Sequence, residues 1–271
     1  MNEYIQIEFL SISAEQKDIL IAKLIVAGFE GFEETGAGLK AFIPKKDYDE
    51  ELIKEIAGQQ EVLFNKTIIE ETNWNQVWES NFEPVMIDDF VSILADFHEP
   101  VKGVAHEIVI TPKMSFGTGH HATTLMMVQQ MRQIDFNGKS VLDFGTGTGI
   151  LAILSEKLGA KKILAIDNDE WSIENAAENI QRNDCSLIDL KKADTAASNE
   201  LYDIILANVN KNVILENFDR LAKQLLHAGV LLLSGLLKED LDVIFHICGE
   251  YSLQLIQTTV RDNWLCLRIS C

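Results

Sequence analysis

A glycine-rich turn between two short apolar runs most constrains the fold of this chain. The run 141–144 leads into three glycines that alternate with threonine, and the next apolar run, 163–166, ends at Asp167. The glycines are Gly145, Gly147 and Gly149. Glycines let backbone N–H groups approach a ligand closely, and an acid at the tip of the next strand can accept both ribose hydroxyls. The spacing of roughly 20 residues between the glycines and the acid therefore predicts half of a nucleotide-binding α/β unit.

The details of the turn favour one nucleotide over others. A dinucleotide site requires a third glycine where Ile150 stands, and a phosphate-binding P-loop requires a lysine that is missing here. Asp143 precedes the glycines and would repel a pyrophosphate, but it suits the cationic amino and sulfonium groups of S-adenosylmethionine. The alternative is a plain tight turn, against which the two acids and the strand–helix–strand context argue. We therefore predict S-adenosylmethionine rather than NAD as the ligand.

Composition narrows the class of protein. Of 271 residues, 47% are hydrophobic and only 4 are proline, which indicates a globular chain with a full core. No apolar run approaches the ~20 residues that span a bilayer, and the N-terminus does not resemble a signal peptide. The 4 cysteines show neither disulfide nor metal spacing. We expect a cytoplasmic protein without a bound metal.

The formal net charge of −19 bears on the partner. Such a surface repels nucleic-acid phosphates and attracts basic partners, although solubility alone is the simpler explanation of an acidic surface. We therefore expect a basic protein as partner, with no binding of nucleic acid or membrane.

The hydrophobic pattern predicts two domains and a connection. Residues 1–70 read as strand–helix–strand–strand–helix–strand, the order of a small ferredoxin-like α+β domain. Residues 71–100 are predicted to be a linker with a helix, in which Trp74 and Trp78 form a packing stripe or line a cleft. Residues 101–271 alternate helix and strand, which predicts a parallel sheet with helices on both faces and a final antiparallel hairpin. The predicted elements there are helices at 123–133, 149–158, 171–182, 213–226 and 238–249, and strands at 140–144, 162–166, 188–192, 203–207, 230–234, 253–260 and 264–269.

The segment before the glycines identifies a family. Residues 116–124 read F-G-T-G-H-H-A-T-T, which resembles the F-G-T-G-x-H-x-T-T segment of the bacterial ribosomal protein L11 methyltransferases. The stretches 74–78, 143–149 and 207–209 are similar to that family as well, and the resemblance covers essentially the whole chain. Two departures are Ala122, where the family usually has proline, and the continuation of 208–211, which is less apolar here. The resemblance implies a class I methyltransferase with a Rossmann-like sheet, preceded by a substrate-recognition domain.

The resemblance also implies site residues. It places Thr124, Gly145, Asp167 and Asn208 at cofactor-binding positions. From the residues themselves, Thr123 and Thr124 begin a helix, where their hydroxyls either bind the methionine carboxylate or simply cap the helix. Asp194 follows a strand and can accept a hydrogen bond from the adenine amino group. Asp143, Gly147 and Gly149 complete the predicted cofactor site.

Two residues are predicted to act in catalysis. Asn208 follows the strand 203–207 at the edge where ligands collect, so its amide can orient the methionine end or the incoming amine; a simple turn residue is the alternative. His121 matches the family's histidine. Methyl transfer from a sulfonium needs an aligned, desolvated neutral amine more than a strong base, so we expect His121 to shape the loop over the cofactor. Phe116 is expected to close the pocket.

The resemblance implies transfer of methyl groups to α-amino and lysine ε-amino groups of ribosomal protein L11. Two other functions compete with this one. The first is a methyltransferase of the same fold that acts on RNA, a small molecule or another protein, which the N-terminal domain and the acidic charge disfavour. The second is a binding module without activity, against which the intact acids and glycines argue.

Overall fold

The computed structural model describes residues 3–10, 12–35, 38–60, 62–70, 82–112, 117–195 and 200–271. The chain divides into two compact units, Met1–Val77 and Trp78–Cys271. The predicted tryptophan helix with Trp74 and Trp78 lies outside the described residues, and so does Phe116.

The N-terminal unit is a four-stranded sheet with two helices. Its elements are β1 (Glu3–Leu10), α1 (Ala14–Val26), β2 (Gly31–Thr35), β3 (Gly38–Pro44), α2 (Glu50–Gln59) and β4 (Phe64–Glu70). The strand order is β2-β3-β1-β4, and neighbouring strands run antiparallel. Buried and more exposed side chains alternate along β1, because every second residue, Ile5, Ile7 and Phe9, points into the core of this unit. Ser13 caps the start of α1: its side chain accepts a hydrogen bond from the Gln16 N–H, and the Gln16 side chain accepts one from the Ser13 N–H.

The second unit contains two sheets. Its elements are β5 (Val85–Ile87), β6 (Val91–Ala95), β7 (His106–Ile110), α3 (Ala122–Met131), β8 (Ser140–Phe144), α4 (Ile150–Lys157), β9 (Lys162–Asp167), α5 (Glu170–Arg182), β10 (Ile188–Lys192), β11 (Tyr202–Asn208), α6 (Lys211–Gln224), β12 (Leu225–Leu237), α7 (Leu241–Glu250), β13 (Gln254–Arg261) and β14 (Trp264–Ser270). The strands β5, β6 and β7 form a small sheet, in which β6 and β7 are parallel.

The large sheet of the second unit has the strand order β10-β9-β8-β11-β12-β14-β13. The first five strands are parallel to their neighbours, and β14 runs antiparallel to both β12 and β13. The central strands are buried almost end to end, because helices cover both faces. One face packs on α3 and α4 and the other on α6 and α7, which gives two hydrophobic cores. The carboxyl ends of the parallel strands therefore meet at one edge.

The elements of residues 122–271 lie within a few residues of their predicted positions. The predicted helix 213–226 begins earlier, at Lys211, because the Asn210 side chain accepts a hydrogen bond from the Val213 N–H and caps it. The predicted strand 230–234 extends to Leu225–Leu237. Residues 85–95 fall within the predicted linker 71–100; in the structure they form β5 and β6 and belong to the second unit, because their apolar side chains join its core. No helix among the described residues is both long and apolar enough to cross a membrane.

Candidate functional site

A cavity of about 650 Å³ lies at the edge where β8, β9, β10 and β11 end. This volume is typical of sites that enclose a small molecule, and the position is the one at which open α/β sheets bind ligands. The cavity lining includes the predicted residues His121, Gly145, Gly147, Asp167, Asp194 and Asn208. The parallel sheet thus brings together residues that lie up to 87 positions apart, from His121 to Asn208.

The glycine turn connects β8 to α4, and its backbone excludes side chains at two points. Gly145 has φ +75°, and a Cβ there would lie 2.2 Å from Cγ1 of Val209. Gly149, with φ +83°, precedes α4, and a Cβ there would lie 3.4 Å from that of Ala176 on α5. Gly145 and Gly147 line the cavity, whereas the structure places Gly149 against α5 rather than among the lining residues. Gly149 thus packs against α5, and its contact with a cofactor stays a prediction.

Asp167 is held in place by two backbone N–H groups. Its Oδ2 accepts a hydrogen bond from the Gly147 N–H at 2.9 Å, and its Oδ1 accepts one from the Asp169 N–H at 3.0 Å. Each carboxylate oxygen keeps a further lone pair for another donor. Because Asp167 also lines the cavity, its carboxylate is held at the cavity wall with lone pairs left for further donors.

Asp143 lies beneath the glycine turn, not at the cavity wall. It is fully buried, and its Oδ2 accepts a hydrogen bond from the Thr146 hydroxyl at 2.6 Å. Burial raises its pKa from 3.8 to about 7; the charge of Asp167 adds to this, while the Thr146 hydroxyl and the Ala152 N–H oppose it. Strand alternation turns this side chain into the core, so the structure places Asp143 beneath the turn, and its contact with the cationic end of a ligand stays a prediction.

The two predicted threonines have different partners. Thr124 is buried, and its hydroxyl accepts a hydrogen bond from Nδ2 of Asn208 at 3.3 Å. The Thr123 hydroxyl lies 2.8 Å from Nδ1 of His121, the residue that caps α3. Thr123 is fully buried and is not among the residues that line this cavity, so the structure places it beside His121.

Asn208 lines the cavity at the end of β11. The hydrogen bond to Thr124 engages the amide nitrogen, and Oδ1 is buried without a hydrogen-bond partner in the described part of the protein. Burying an unpaired amide oxygen is costly, so this atom is expected to bind a donor from a ligand. Asp194 also lines the cavity but is exposed to solvent.

An aromatic wall closes another part of the cavity. The rings of His121 and Trp264 meet edge to face, with centroids 4.8 Å apart. Trp264 reaches this position because β14 pairs with β12, where Leu237 lies opposite it. The neighbouring His120 is exposed and packs instead against Phe82, with ring centroids 4.8 Å apart.

Sequence reasoning missed several lining residues. They include Asn168, Ser172, Asn210, Glu216, Asn217 and Trp264. Asn217 is buried on α6, its Nδ2 donates to the Val213 carbonyl at 3.0 Å, and its Oδ1 has no partner within the described ranges. A buried polar residue on the apolar stripe of α6 is a signal that could have been used. No local signal marks Trp264, because its place depends on the pairing of distant strands.

No metal centre is formed by the part of the chain that the structure describes, since no three His, Cys, Asp or Glu side chains converge there. The donors and acceptors at the cavity wall are carboxylates, amides and backbone N–H groups. Such a set suits a polar organic ligand with hydroxyl and amino groups.

Comparison with known proteins assigns the family. The family described as "Ribosomal protein L11 methyltransferase (PrmA)" matches residues 6–270. A ribosomal protein L11 methyltransferase of Porphyromonas gingivalis is 38% identical over 264 residues, which covers 93% of this chain and 90% of the relative. A ribosomal protein L11 methyltransferase of Chlorobaculum tepidum is 36% identical over 278 residues, which covers 97% of this chain and 95% of the relative.

A solved structure agrees with this assignment. The ribosomal protein L11 methylase of Lactobacillus delbrueckii subsp. bulgaricus superposes with a TM-score of 0.65 and 29% identity, covering 70% of this chain and 98% of that one. The second unit therefore has a class I methyltransferase-like α/β fold, as predicted. The chain is a methyltransferase and belongs to the ribosomal protein L11 methyltransferase family.

Proposed function

We propose that this enzyme transfers methyl groups from S-adenosylmethionine to α-amino and lysine ε-amino groups of ribosomal protein L11. The proposal rests on one observation, a single cavity whose wall contains two kinds of hydrogen-bond acceptor. The carboxylate of Asp167 stands beside the glycine turn, and the unpaired carbonyl oxygen of Asn208 stands at the end of β11. The names of the relatives support L11 as the substrate.

The residues at the glycine turn suit an adenosine-containing ligand. The Asp167 carboxylate would accept the two ribose hydroxyls, since its oxygens each use only one lone pair on a backbone N–H. Gly145 and Gly147 would let the methionine portion lie against the backbone. Asp194 would accept a hydrogen bond from the adenine amino group. When bound, S-adenosylmethionine supplies an electrophilic methyl group on a sulfonium.

The other part of the cavity suits an amine. Oδ1 of Asn208 would accept an N–H of the incoming neutral amine and so hold its lone pair toward the methyl group. The ring pair of His121 and Trp264 would exclude water and face the methylated, cationic product. His121 contributes by position, because its Nδ1 is engaged with the Thr123 hydroxyl.

We propose the N-terminal unit as a ferredoxin-like recognition domain for the protein substrate. Its β-α-β-β-α-β element order and β2-β3-β1-β4 strand order support this description. The net charge of −19 favours a basic protein substrate and disfavours phosphate-rich nucleic acid. A reaction on a ribosomal protein would take place in the cytoplasm, without a membrane partner.

The test is transfer of labelled methyl groups from S-adenosylmethionine to purified, unmethylated L11. We expect label at the α-amine and at lysine side chains, located by mass spectrometry of peptides. The variant Asn208→Leu should lower the turnover number at least tenfold while the dissociation constant of S-adenosylmethionine changes less than threefold. The matched control is Asn212→Leu, at an exposed asparagine on the same segment, which should leave turnover unchanged.

Two outcomes would contradict the proposal. If S-adenosylmethionine binds but no label enters L11, the methyl acceptor is a different molecule. If S-adenosylmethionine does not bind at all, the assignment of the cavity is wrong.

A further inference from the structure

Three asparagines form a ladder along one side of α5. Asn175, Asn179 and Asn183 recur every four residues, so their side chains lie above one another on the helix surface. Nδ2 of Asn179 donates to Oδ1 of Asn175 at 3.2 Å, and Nδ2 of Asn183 donates to the Asn179 carbonyl at 2.8 Å. The first two of these residues are fully buried. A buried polar ladder of this kind is stable only when its members find partners, and these partners lie in other segments.

The lower part of the ladder binds the backbone of β7. Oδ1 of Asn183 accepts the Val109 N–H at 3.0 Å, and its Nδ2 donates to the Val109 carbonyl at 2.7 Å. The side-chain amide thus pairs with a strand residue as a neighbouring strand would. Asn183 therefore holds β7 against α5, and its side-chain hydrogen bonds join Val109 and Asn179 rather than the glycine turn.

The upper part of the ladder joins β7 to the glycine turn. Oδ1 of Asn179 accepts the Thr111 N–H at 2.8 Å, and Nδ2 of Asn179 donates to the Thr148 carbonyl at 2.8 Å. Asn175 completes this level by donating to the Thr111 carbonyl at 3.2 Å. Both hydrogens of the Asn179 amide and its oxygen are therefore used.

The side chain of Thr148 forms a second hydrogen bond, to another segment. Its hydroxyl donates to the Gly117 carbonyl at 2.8 Å, and Gly117 begins the described segment that leads to His121. Thr148 itself lies directly after Gly147, which lines the cavity and donates to Asp167. Since both Thr148 and Asn179 are fully buried, water cannot replace either hydrogen bond.

We infer that Asn179 is a positioning residue that sets the glycine turn, through the Thr148 carbonyl, in the conformation that binds the cofactor. The inference rests on the proposed function for the identity of that cofactor. Loss of the amide donor would leave the Thr148 carbonyl unpaired in the core, so the turn would shift to find another donor. Because the N–H of Gly147 orients the Asp167 carboxylate, such a shift would weaken ligand binding without removing any group that touches the ligand.

Two substitutions of asparagine by aspartate distinguish an effect on the position of the glycine turn from a general loss of stability. Asn179→Asp keeps the oxygen that accepts the Thr111 N–H but removes the donor to Thr148, and Asn183→Asp makes the same change one turn further on. We expect Asn179→Asp to raise the dissociation constant and the KM of S-adenosylmethionine about tenfold, equivalent to about 1.4 kcal/mol. The turnover number at saturating S-adenosylmethionine should stay within threefold. Asn183→Asp should lower the melting temperature but change the KM less than twofold.

A third variant keeps the test decisive if Asn179→Asp does not fold. Thr148→Val removes only the hydroxyl that donates to Gly117, and we expect it to raise the KM of S-adenosylmethionine several-fold. The inference is overturned if Asn183→Asp raises the KM as much as Asn179→Asp, or if a folded Asn179→Asp leaves the KM within twofold. Where Asn179→Asp does not fold, the inference is overturned if Thr148→Val leaves the KM within twofold. Binding of S-adenosylmethionine to the unaltered protein is measured first, by calorimetry. Failure at that step refutes the proposed cofactor, whereas failure among the variants refutes only the role of Asn179.

Discussion

Replacing Asp143 by asparagine should remove a pH dependence of stability that the buried carboxyl group imposes. The side chain is fully buried beneath the glycine turn, and this burial is the main reason that its pKa rises from 3.8 to about 7. In the folded protein the group therefore keeps its proton up to about neutral pH. In the unfolded chain it is already ionised above about pH 4.

The sign and size of the effect follow from proton linkage. Between the two pKa values the folded state binds one more proton than the unfolded state, so the free energy of unfolding falls as the pH rises. The slope is at most about 1.4 kcal/mol per pH unit. From about pH 5.5 to about pH 7 the wild-type protein should lose roughly 2 kcal/mol relative to Asp143→Asn, and above that range the difference should stay constant.

The measurement is urea unfolding of both proteins at several pH values between about 5.5 and 8.5, followed by circular dichroism. Asp242→Asn, at an exposed position on α7, removes the same formal charge and corrects for the acidity of the whole chain. If the free-energy difference between wild type and Asp143→Asn shows no such fall between about pH 5.5 and 7, the carboxyl group does not titrate near neutral pH in the folded protein. The raised pKa of about 7 for Asp143 would then be wrong.

Three further substitutions test other parts of the site and sheet. Asp167→Ala should weaken S-adenosylmethionine binding in calorimetry by about 1–3 kcal/mol, because its carboxylate is the proposed ribose acceptor, and an unchanged affinity would contradict that placement. Gly145→Ala should lower the melting temperature more than Gly138→Ala, since both glycines have positive φ but a Cβ meets Val209 at 2.2 Å only in the first case; equal losses would refute the clash. Asp203→Asn should destabilise the protein by about 1–2 kcal/mol at neutral pH in urea unfolding, because the carboxylate accepts two hydrogen bonds from the start of β8 at 2.9 and 2.8 Å. Burial alone would raise the pKa of Asp203, but these hydrogen bonds together with the charge of Lys139 outweigh it and lower the pKa, so the loss should shrink as the pH falls below about 4.

Much of the second unit was predictable because its signals are local. The apolar runs that became β8 and β11 are buried on both faces, so they read as continuous hydrophobic stretches. The glycines before α4 and the acid at the end of β9 are separated by one strand–helix–strand unit, whose length is set by geometry. The positions of Gly145, Asp167 and Asn208 at one sheet edge follow from this regularity.

The sequence alone did not determine the placement of residues whose side-chain direction decides their surroundings. Asp143 and Asp167 both stand near strand ends, yet one points into the core and the other to the cavity wall. Gly149 belongs to the same motif as Gly147 but meets α5 instead of the cavity. Spacing along the chain cannot separate these cases, because neighbouring residues of a strand or turn face opposite sides.

By itself the sequence determined the alternation of helices and strands, the glycine turn, the acid one unit later and the family. Only the tertiary structure decided which distant residues share the cavity. Trp264 meets His121 because β14 inserts between β12 and β13, and Asn179 reaches Thr148 because α5 packs beside the glycine turn. The physical reason is that local patterns reflect the backbone and burial of one segment, whereas these contacts depend on strand register and helix packing across the whole unit.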